Sequence, residues 1–242
     1  MARRGLEGLL SPVRAAVQQY DMILPGERVA VGVSGGKDSM VLLALLAQLK
    51  RFYPAGGFSL TAITLDPCFG GEETDYSAIT ELCNSRGITH VVERTDLWDI
   101  VFNKRSEPNP CSLCARMRRG ALHRVAQEAD CGVVALGHHK QDAAETLLMN
   151  MFAGGSIDCF SPCSELTRRG LRLIRPMIYL DECDIAAAAR REELPIVKSR
   201  CPVDGHTHRQ EVKELMAELE VKYGPLPDKL VGAMQKAGIS KW

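Results

Sequence analysis

The hydrophobic pattern of the chain alternates between short β-branched runs and longer helical periodicities. The short runs predict five strands, at residues 28–33, 59–65, 88–93, 132–136 and 171–178. Apolar residues at helical spacing predict helices at residues 6–20, 40–46, 72–86, 112–129, 141–152 and 181–193. A further helical segment begins near Arg209, and a loose stretch follows it around residues 224–227.

This alternation predicts an α/β fold: a doubly wound, mostly parallel five-stranded sheet of Rossmann-like form with a small helical C-terminal extension. We expect an N-terminal helix at residues 1–24, a nucleotide-binding domain at residues 25–200 and the extension at residues 201–242. Ligands of such sheets bind beyond the carboxyl ends of the strands. Two candidate binding loops, residues 34–39 and 137–139, follow predicted strands at such ends.

Composition narrows the class of protein. The formal net charge is zero, from 30 basic and 30 acidic residues, which argues against nonspecific nucleic-acid binding over the whole surface but allows a local basic patch. Apolar stretches fall short of the ~20 residues of a membrane span, and no apolar region of a signal peptide follows the basic start. We therefore expect a cytoplasmic protein without membrane contact. Nine cysteines, an odd number, point to metal, cluster or thiol chemistry there.

A glycine-rich turn joins the first predicted strand to the next helix. It reads Ser34, Gly35, Gly36, Lys37, Asp38 and Ser39. Backbone N–H groups at such a turn face the ligand and the helix dipole favours negative charge, so the turn predicts a phosphate site. Ser34 and Ser39 add hydroxyl donors, and Lys37 adds a cation. Asp38 is a candidate Mg²⁺ ligand. The spacing does not fit G-x-x-x-x-G-K-[ST], and an ordinary serine-capped glycine turn is the alternative interpretation.

Other candidate nucleotide-binding residues end neighbouring strands. Leu65 and Asp66 close the second strand, where the adenosine would lie and backbone groups could read the adenine edge. Gly137 and His138 follow the fourth strand. We expect one of the two adjacent histidines to face the phosphates and the other only to pack. Asp142, on the next helical turn, could orient a histidine or a metal ion.

Cys111 and Cys114 form a C-x-x-C at the predicted start of a helix. The helix dipole lowers thiol pKa there and favours the thiolate, the form that binds metal or attacks sulfur. Three interpretations compete: a redox pair, half of a zinc site with His206 and His208 near Cys201, or two ligands of an iron–sulfur cluster completed by a distant cysteine.

The turn at residues 34–39 resembles the pyrophosphate-binding loop (PP-loop) of the ATP pyrophosphatases, which place AMP on a carbonyl oxygen and release pyrophosphate. Residues 110–120, 136–152 and 175–177 resemble the tRNA 2-thiocytidine synthetase family, and the resemblance runs from about residue 26 to about residue 211. It implies an adenine nucleotide alpha hydrolase-like fold, ATP and Mg²⁺, and sulfurtransferase activity on a cytidine of a tRNA anticodon loop.

In that family a C-x-x-C and one later cysteine hold a [4Fe–4S] cluster, whose fourth iron lacks a protein ligand and can bind hydrosulfide. The resemblance thus implies that Cys111, Cys114 and Cys201 are catalytic cluster ligands and that Asp38 is catalytic in adenylation. The later cysteine usually belongs to a second C-x-x-C, whereas Cys201 stands alone. The expected partners are tRNA and sulfide or a cysteine desulfurase as sulfur source. A homodimer is a possible assembly.

Two alternatives stay open on the sequence. One keeps the adenylation but uses a persulfide or an amine, with the C-x-x-C as zinc or redox site, or acts on a substrate other than tRNA. The other is a nucleotide-binding or iron–sulfur sensor without catalysis. Iron content and pyrophosphate release discriminate them.

The remaining cysteines and the arginines divide into groups. We expect three cysteines to be packing residues: Cys83, Cys131 and Cys183. Minor thiol roles stay open for Cys68, Cys159 and Cys163. Arg116, Arg119 and His123 share one helix face and could form a phosphate-facing stripe. A second basic group comprises Arg168, Arg169, Arg172 and Arg175.

Overall fold

A computed structural model describes residues 5–53, 56–105, 110–203 and 208–242. The strands are β1 (Arg28–Gly32), β2 (Ser59–Asp66), β3 (Thr89–Arg94), β4 (Val133–Ala135), β5 (Cys163–Leu166) and β6 (Leu171–Ile174). The helices are α1 (Leu6–Gln19), α2 (Lys37–Lys50), α3 (Ser77–Ser85), α4 (Pro110–Glu128), α5 (Lys140–Gly154), α6 (Glu182–Arg191), α7 (His208–Tyr223) and α8 (Leu226–Ala237). Among the described residues, no helix is long and apolar enough to cross a membrane.

The sheet has the order β3-β2-β1-β4-β6-β5. β1 pairs in parallel with β2 on one side and with β4 on the other, so the sheet winds outwards in both directions from β1. Residues 29–31 of β1 are fully buried, which explains why this strand reads as one continuous apolar run. The carboxyl ends of β1 and β4 therefore form the topological switch point, where ligands of such folds bind.

The α/β class and the mostly parallel sheet are confirmed, but the sheet has six strands and not five. The extra strand is β5, which pairs antiparallel with β6 at the sheet edge. A short 3₁₀ turn, Thr167–Arg169, and Gly170 at φ +61° join the two strands. The predicted fifth strand ends at Ile174, four residues earlier than expected, because the chain turns there.

Two helical predictions also need correction. α3 begins at Ser77, five residues later than predicted, because Thr74 is held in a loop by hydrogen bonds to Asp66. The stretch around residues 224–227 is not loose throughout: α8 begins at Leu226, and Pro227 is accommodated in its first turn, where a missing N–H costs nothing. The sequence before α4, residues 106–110, is rich in Pro and Asn and is typical of a loop, but residues 106–109 lie outside the described residues.

The C-terminal helices pack onto the α/β core. Val231 and Met234 of α8 join the main apolar cluster, and Met216 of α7 packs against α5. Lys140 at the start of α5 is buried and donates to Asp181 at 3.0 Å and to Asp228 of α8 at 2.7 Å. A buried ammonium needs such partners, so this pair of carboxylates fixes α8 against α5. The division into segments at residues 24 and 200 stays a prediction.

Candidate active site

The turn between β1 and α2 is shaped by its own serines. The Ser39 Oγ atom donates to the carbonyl of Gly36 at 2.9 Å and accepts from the Ser34 amide at 3.1 Å. The two serine hydroxyls lie 3.2 Å apart. Both hydroxyls thus help to hold the loop, and the first-turn amides of α2 are left without intrahelical acceptors. The loop has the form of an anion site at a helix N-terminus.

Gly35 lies against the segment that follows α6. Its φ is +84°, and a Cβ built on it would lie 2.9 Å from the Cβ of Val197. The Val197 amide donates to the Gly35 carbonyl at 3.0 Å. The position requires glycine both for its backbone angle and for this close approach. The segment carrying Val197 is thereby fixed to the loop, four residues before Cys201.

A second close approach joins the two loops of the switch point. A Cβ on Gly137 would lie 3.2 Å from the backbone carbon of Asp38 and 3.2 Å from the backbone nitrogen of Ser39. The turn after β4 therefore rests on the first turn of α2, and a side chain at Gly137 would push them apart.

The charges of the loop are balanced by α6. The Lys37 ammonium lies 3.1 Å from the Asp38 carboxylate and 3.1 Å from Glu182. Burial lowers the pKa of Lys37, but these carboxylates raise it more. Burial would raise the pKa of Glu182, yet Lys213 and Lys37 hold it at about 2. One oxygen of Asp38, Oδ1, is buried without a hydrogen-bond partner among the described residues, so it is free to bind a cation.

A cleft of about 690 Å³ opens at these loops. Its walls come from the ends of β1, β2 and β4 and from helices α2, α4, α5 and α7. The predicted nucleotide residues on the cleft surface are Ser34, Asp38, Ser39, Leu65, Gly137, His138 and Asp142. Arg118, Arg119 and His123 of α4, Phe160, Arg175 and Arg209 complete it.

His138 lies deep in this cleft. Its ring packs against that of Phe160 with centroids 4.9 Å apart, and the Arg175 guanidinium lies over the same Phe160 ring, 4.7 Å from its centroid. Burial, with Arg175 nearby, lowers the pKa of His138 to about 4. Burial likewise lowers the pKa of Arg175 to about 10. At neutral pH the site therefore presents a neutral imidazole beside a charged guanidinium.

His139 lies beside the loop and caps the start of α5. Its amide donates to Asp142 at 2.9 Å in a capping box at the start of α5. Its Nε2 lies 3.4 Å from Asp142 and 3.9 Å from Asp38. That one of the two histidines faces the phosphates stays a prediction: His138 lines the cleft, and His139 is 5% exposed beside the loop.

Asp142 is also held by α7. The Arg209 guanidinium lies 2.9 Å from Asp142 and 3.4 Å from Glu145. Glu145 is 3% exposed, and burial raises its pKa to about 7 against the opposing effect of Arg209.

Asp66 is engaged by its own loop. Its carboxylate accepts from the amides of Cys68 at 3.1 Å and Thr74 at 2.8 Å, and it is fully buried. It shapes the wall that Leu65 presents to the cleft. Thr64 is buried too, and its hydroxyl donates to the carbonyl of Val33 at 2.8 Å. These residues position the end of β2 beside β1.

The three predicted cluster cysteines come from two segments. Cys111 and Cys114 lie among the first five residues of α4, and Cys201 follows the segment held by Gly35. Burial raises the pKa of the Cys114 thiol, Arg118 opposes this, and Cys201 and Cys111 raise it further. The expectation of a lowered pKa at this helix start is wrong for Cys114, because burial and its sulfur neighbours outweigh the helix dipole. The Cys114 thiol resists ionisation here, and a cation bound beside it would favour its thiolate.

All nine cysteines are free thiols. Among the described residues, no three His, Cys, Asp or Glu side chains are grouped to hold a single metal ion. His206 and the side chain of His208, named for a zinc site, lie outside the described residues. Cys83 and Cys131 are buried as expected, whereas Cys183 is exposed and not a packing residue, because it faces outwards on the first turn of α6.

Several site residues were missed by sequence reasoning. Three residues reach the site from α5, α6 and α7 in turn and carry no local motif: Glu145, Glu182 and Arg209. Phe160 precedes an unpredicted strand. Arg175 enters the sequence analysis through the basic group and the resemblance at residues 175–177, without a role; its position directly after β6, beside β4 in the sheet, is the signal that places it at the cleft.

Comparisons with known proteins agree with this geometry. A family model described as a PP-loop domain matches residues 10–219. The tRNA-cytidine(32) 2-sulfurtransferase of Citrifermentans bemidjiense is 41% identical over 213 residues, which cover 86% of this chain and 82% of that protein. The protein of the same name from Geobacter sulfurreducens is 39% identical over 211 residues, covering 86% and 81%.

Among solved structures, the U34-tRNA thiolase NcsA from Methanococcus maripaludis with its [4Fe-4S] cluster superimposes with a TM-score of 0.79 at 26% identity. The match covers 96% of this chain and 78% of that one. The NH3-dependent NAD synthetase of Campylobacter jejuni, at 15% identity and a TM-score of 0.50, shares the fold alone. On the length and identity of these matches, the chain belongs to the PP-loop family and, within it, to the tRNA-cytidine(32) 2-sulfurtransferases.

Proposed function

We propose that this protein is an ATP-dependent tRNA sulfurtransferase that adenylates the C2 carbonyl of a cytidine and replaces its oxygen with sulfur. One observation carries the proposal: the segment after α6 bonds to Gly35 of the anion loop and leads to Cys201, the electrostatic neighbour of Cys114. The anion loop is thus tied to the segment that carries Cys201, and Cys201 lies near enough to Cys114 to affect its pKa. The names of the relatives supply the substrate, a tRNA cytidine.

ATP binds with its phosphates on the amides at the start of α2. These donors and the helix dipole attract the anion, and Lys37 adds positive charge at the same turn. The adenosine lies towards Leu65 at the end of β2. Gly36 leaves its backbone open to close approach by the phosphates, whereas the missing side chain of Gly35 makes room for Val197.

Mg²⁺ fits at Asp38. The support is the unpartnered, buried Oδ1 of this carboxylate, since a hard cation prefers carboxylate oxygen. Asp38 would hold the ion, which would supply positive charge against the charge of the leaving pyrophosphate.

The reaction needs no change of oxidation state. The carbonyl oxygen of the cytidine attacks the α-phosphorus, and pyrophosphate leaves. A hydrosulfide then attacks the activated carbon, and AMP departs with the former carbonyl oxygen. Arg175 and the neutral His138 line the cleft, where they would stabilise the negative charge of the phosphates.

The residues fit an iron–sulfur cluster, held by Cys111, Cys114 and Cys201. Thiolates are the ligands that select such clusters, and the raised pKa of Cys114 beside two further thiols is relieved when a cationic group is bound. A [4Fe–4S] cluster with three protein ligands would supply an iron at which sulfide sulfur is presented. Sulfide itself or a cysteine desulfurase is the proposed sulfur source, in a cytoplasmic setting, and a homodimer is the proposed assembly.

The first experiment is to purify the protein without oxygen and measure iron, acid-labile sulfide and zinc per chain. About four irons with matching sulfide are expected. The protein is then incubated with ATP, Mg²⁺, sulfide and a tRNA transcript carrying cytidine at position 32, and thiolated nucleoside and pyrophosphate are measured together.

Cys201→Ala should lose iron and thiolation and still bind ATP, whereas the control Cys183→Ala, at an exposed cysteine outside the site, should retain both. Full iron in Cys201→Ala would remove Cys201 from the ligand set. Zinc in place of iron, with thiolation intact, would move the proposal to a persulfide nucleophile on the same adenylating site. Absence of pyrophosphate release with every tRNA would overturn the function itself.

A further inference from the structure

A second, smaller pocket of about 440 Å³ lies beside the nucleotide cleft. One wall is the α4 face that carries Arg116, Arg119 and His123, and the other is the turn between β5 and β6 with Arg168 and Arg169. Arg119 and His123 line both the pocket and the cleft. A ligand in one is therefore the immediate neighbour of a ligand in the other. We call this second space the arginine pocket.

The charge of the arginine pocket is not balanced from within. Across the described part of the chain, its four arginines have no ion-pair partner. The one carboxylate that lines it, Glu165, is bound by Arg172 at 2.9 Å. By contrast, Arg124 on the same helix is paired with both Glu93 and Glu128. Four uncompensated guanidinium groups in a concave site attract an anion, and their planar donors suit phosphate oxygens.

Helix α4, which lines the pocket, contains a glycine that no close contact with a described residue requires. Gly120 sits inside α4, where glycine is unfavourable compared with alanine. A Cβ built there meets nothing described within 4 Å, so the space above Gly120 is open. This space belongs to the arginine pocket. The turn opposite is held in place, because Gln127 of α4 donates to the Arg169 carbonyl at 2.8 Å.

The buried side chain of His123 lies between the arginine pocket and the nucleotide cleft. His123 is only 4% exposed, and within the described residues its Nε2 has no hydrogen-bond partner. Burial, with Arg169 and Arg119 nearby, lowers its pKa and keeps the imidazole neutral. A neutral ring nitrogen left unsatisfied at this depth is unfavourable unless a ligand completes its hydrogen bond.

From these observations we infer that the arginine pocket binds a backbone phosphate of the substrate RNA, one nucleotide or a few away from the base that enters the cleft. This inference rests on the proposed function. The phosphates of ATP have their own donors at residues 34–39, whereas a polynucleotide can occupy the cleft and the pocket at once. A chain with zero net charge needs a local cationic site of this kind to hold an RNA.

The test compares the double variant Arg168→Ala/Arg169→Ala with Arg124→Ala, a matched arginine on α4 outside the pocket. Binding of a tRNA transcript with cytidine at position 32 is measured by gel shift between about 50 and 200 mM salt. The double variant should bind about tenfold more weakly for each arginine that contacts phosphate. Its salt dependence, the slope of log K on log salt, should become shallower by about 1 per lost contact. Arg124→Ala should leave both quantities unchanged.

Gly120→Leu is a second test, in which a larger side chain blocks the arginine pocket. Leucine is a better helix former than glycine, so the melting temperature should hold or rise. The side chain fills the open space, so tRNA affinity should fall about tenfold. Loss of stability and affinity together would not support the inference, because the variant would then report folding alone; the arginine variants decide in that case.

The outcomes separate the inference from the proposed function. If the unaltered protein binds and thiolates tRNA but the double variant keeps its affinity and salt slope, the arginine pocket is not the RNA phosphate site. If the double variant loses affinity for ATP or pyrophosphate, measured by calorimetry, and keeps that for tRNA, the pocket serves free phosphates and the inference is wrong. If the unaltered protein binds no tRNA, both proposals fall.

Discussion

Substituting alanine for Gly35 should destabilise the protein by about 2–5 kcal/mol, because two separate costs add at this position. A side chain at φ +84° costs about 1–2 kcal/mol through the contact of Cβ with the backbone. The new Cβ would also lie 2.9 Å from that of Val197, and relieving such overpacking costs about 1–3 kcal/mol. The second cost should displace the segment that leads to Cys201.

Gly26 offers a control for the first cost. Its φ is also +84°, but a Cβ there meets none of the described atoms within 4 Å. Gly26→Ala should therefore be destabilised only by the strain of the backbone angle. The loss of conformational freedom in the unfolded chain, which accompanies any Gly→Ala change, is the same in both variants. The difference between the two variants isolates the contact with Val197, about 1–3 kcal/mol. For a chain of this size, each kcal/mol corresponds to a melting shift of about 2–4 °C.

The contact can also be relieved from its other side. Gly35→Ala combined with Val197→Gly removes the opposing Cβ and should recover part of the lost stability, whereas Val197→Ala retains that atom and should not. Urea unfolding followed by circular dichroism measures each difference. Equal losses in Gly26→Ala and Gly35→Ala, or equal recovery with both Val197 variants, would refute the reasoning.

The other predictions concern metal, magnesium and pH. Cys114→Ala should lose the iron signal in anaerobic preparations while ATP binding by calorimetry persists; normal iron content would contradict its place in the cluster. Asp38→Asn, which keeps the shape of the side chain, should lower Mg²⁺-dependent pyrophosphate release at least tenfold and leave iron unchanged; unchanged release would remove this carboxylate from the metal site. Burial raises the pKa of Glu145 from its ordinary value of 4.5 to about 7. Between these two pH values the folded state holds a proton that the unfolded state has lost, so stability falls as pH rises through this window. Relative to the unaltered protein, Glu145→Gln should thus gain about 3 kcal/mol in unfolding free energy between pH 4.5 and pH 7; a pH-independent difference would show that this carboxyl titrates normally.

The sheet was largely predictable because buried parallel strands carry an unmistakable apolar run. β1 and β2 were found to within one residue at each end. The antiparallel edge strand β5 was missed because only one residue in four, Leu166, is a strongly apolar branched side chain there. Its position is set by pairing with β6 and by the turn at Gly170, which are contacts between segments and not local patterns.

The site was predictable where chemistry is written into consecutive residues. The anion loop and the two cysteines of α4 are local motifs. Glu182 and Arg209 could not be found in this way, because they act on Lys37 and Asp142 only after α6 and α7 have packed. The raised pKa of Cys114 likewise follows from burial and from neighbours distant in sequence, which a helix-dipole argument leaves out.

The ion pairs of α7 have a consequence for how much chain a nucleotide-binding unit must contain. Arg209 and Lys213 of this helix act as fixed counterions for Asp142 and Glu182, two carboxylates beside the loop that receives ATP. A fragment that stopped before α7 would retain every loop residue, yet Asp142 would lose its guanidinium partner and Glu182 would keep only Lys37 as a counterion. Such a fragment should bind ATP more weakly than the whole chain, and added salt, which screens the exposed carboxylates, should narrow the difference.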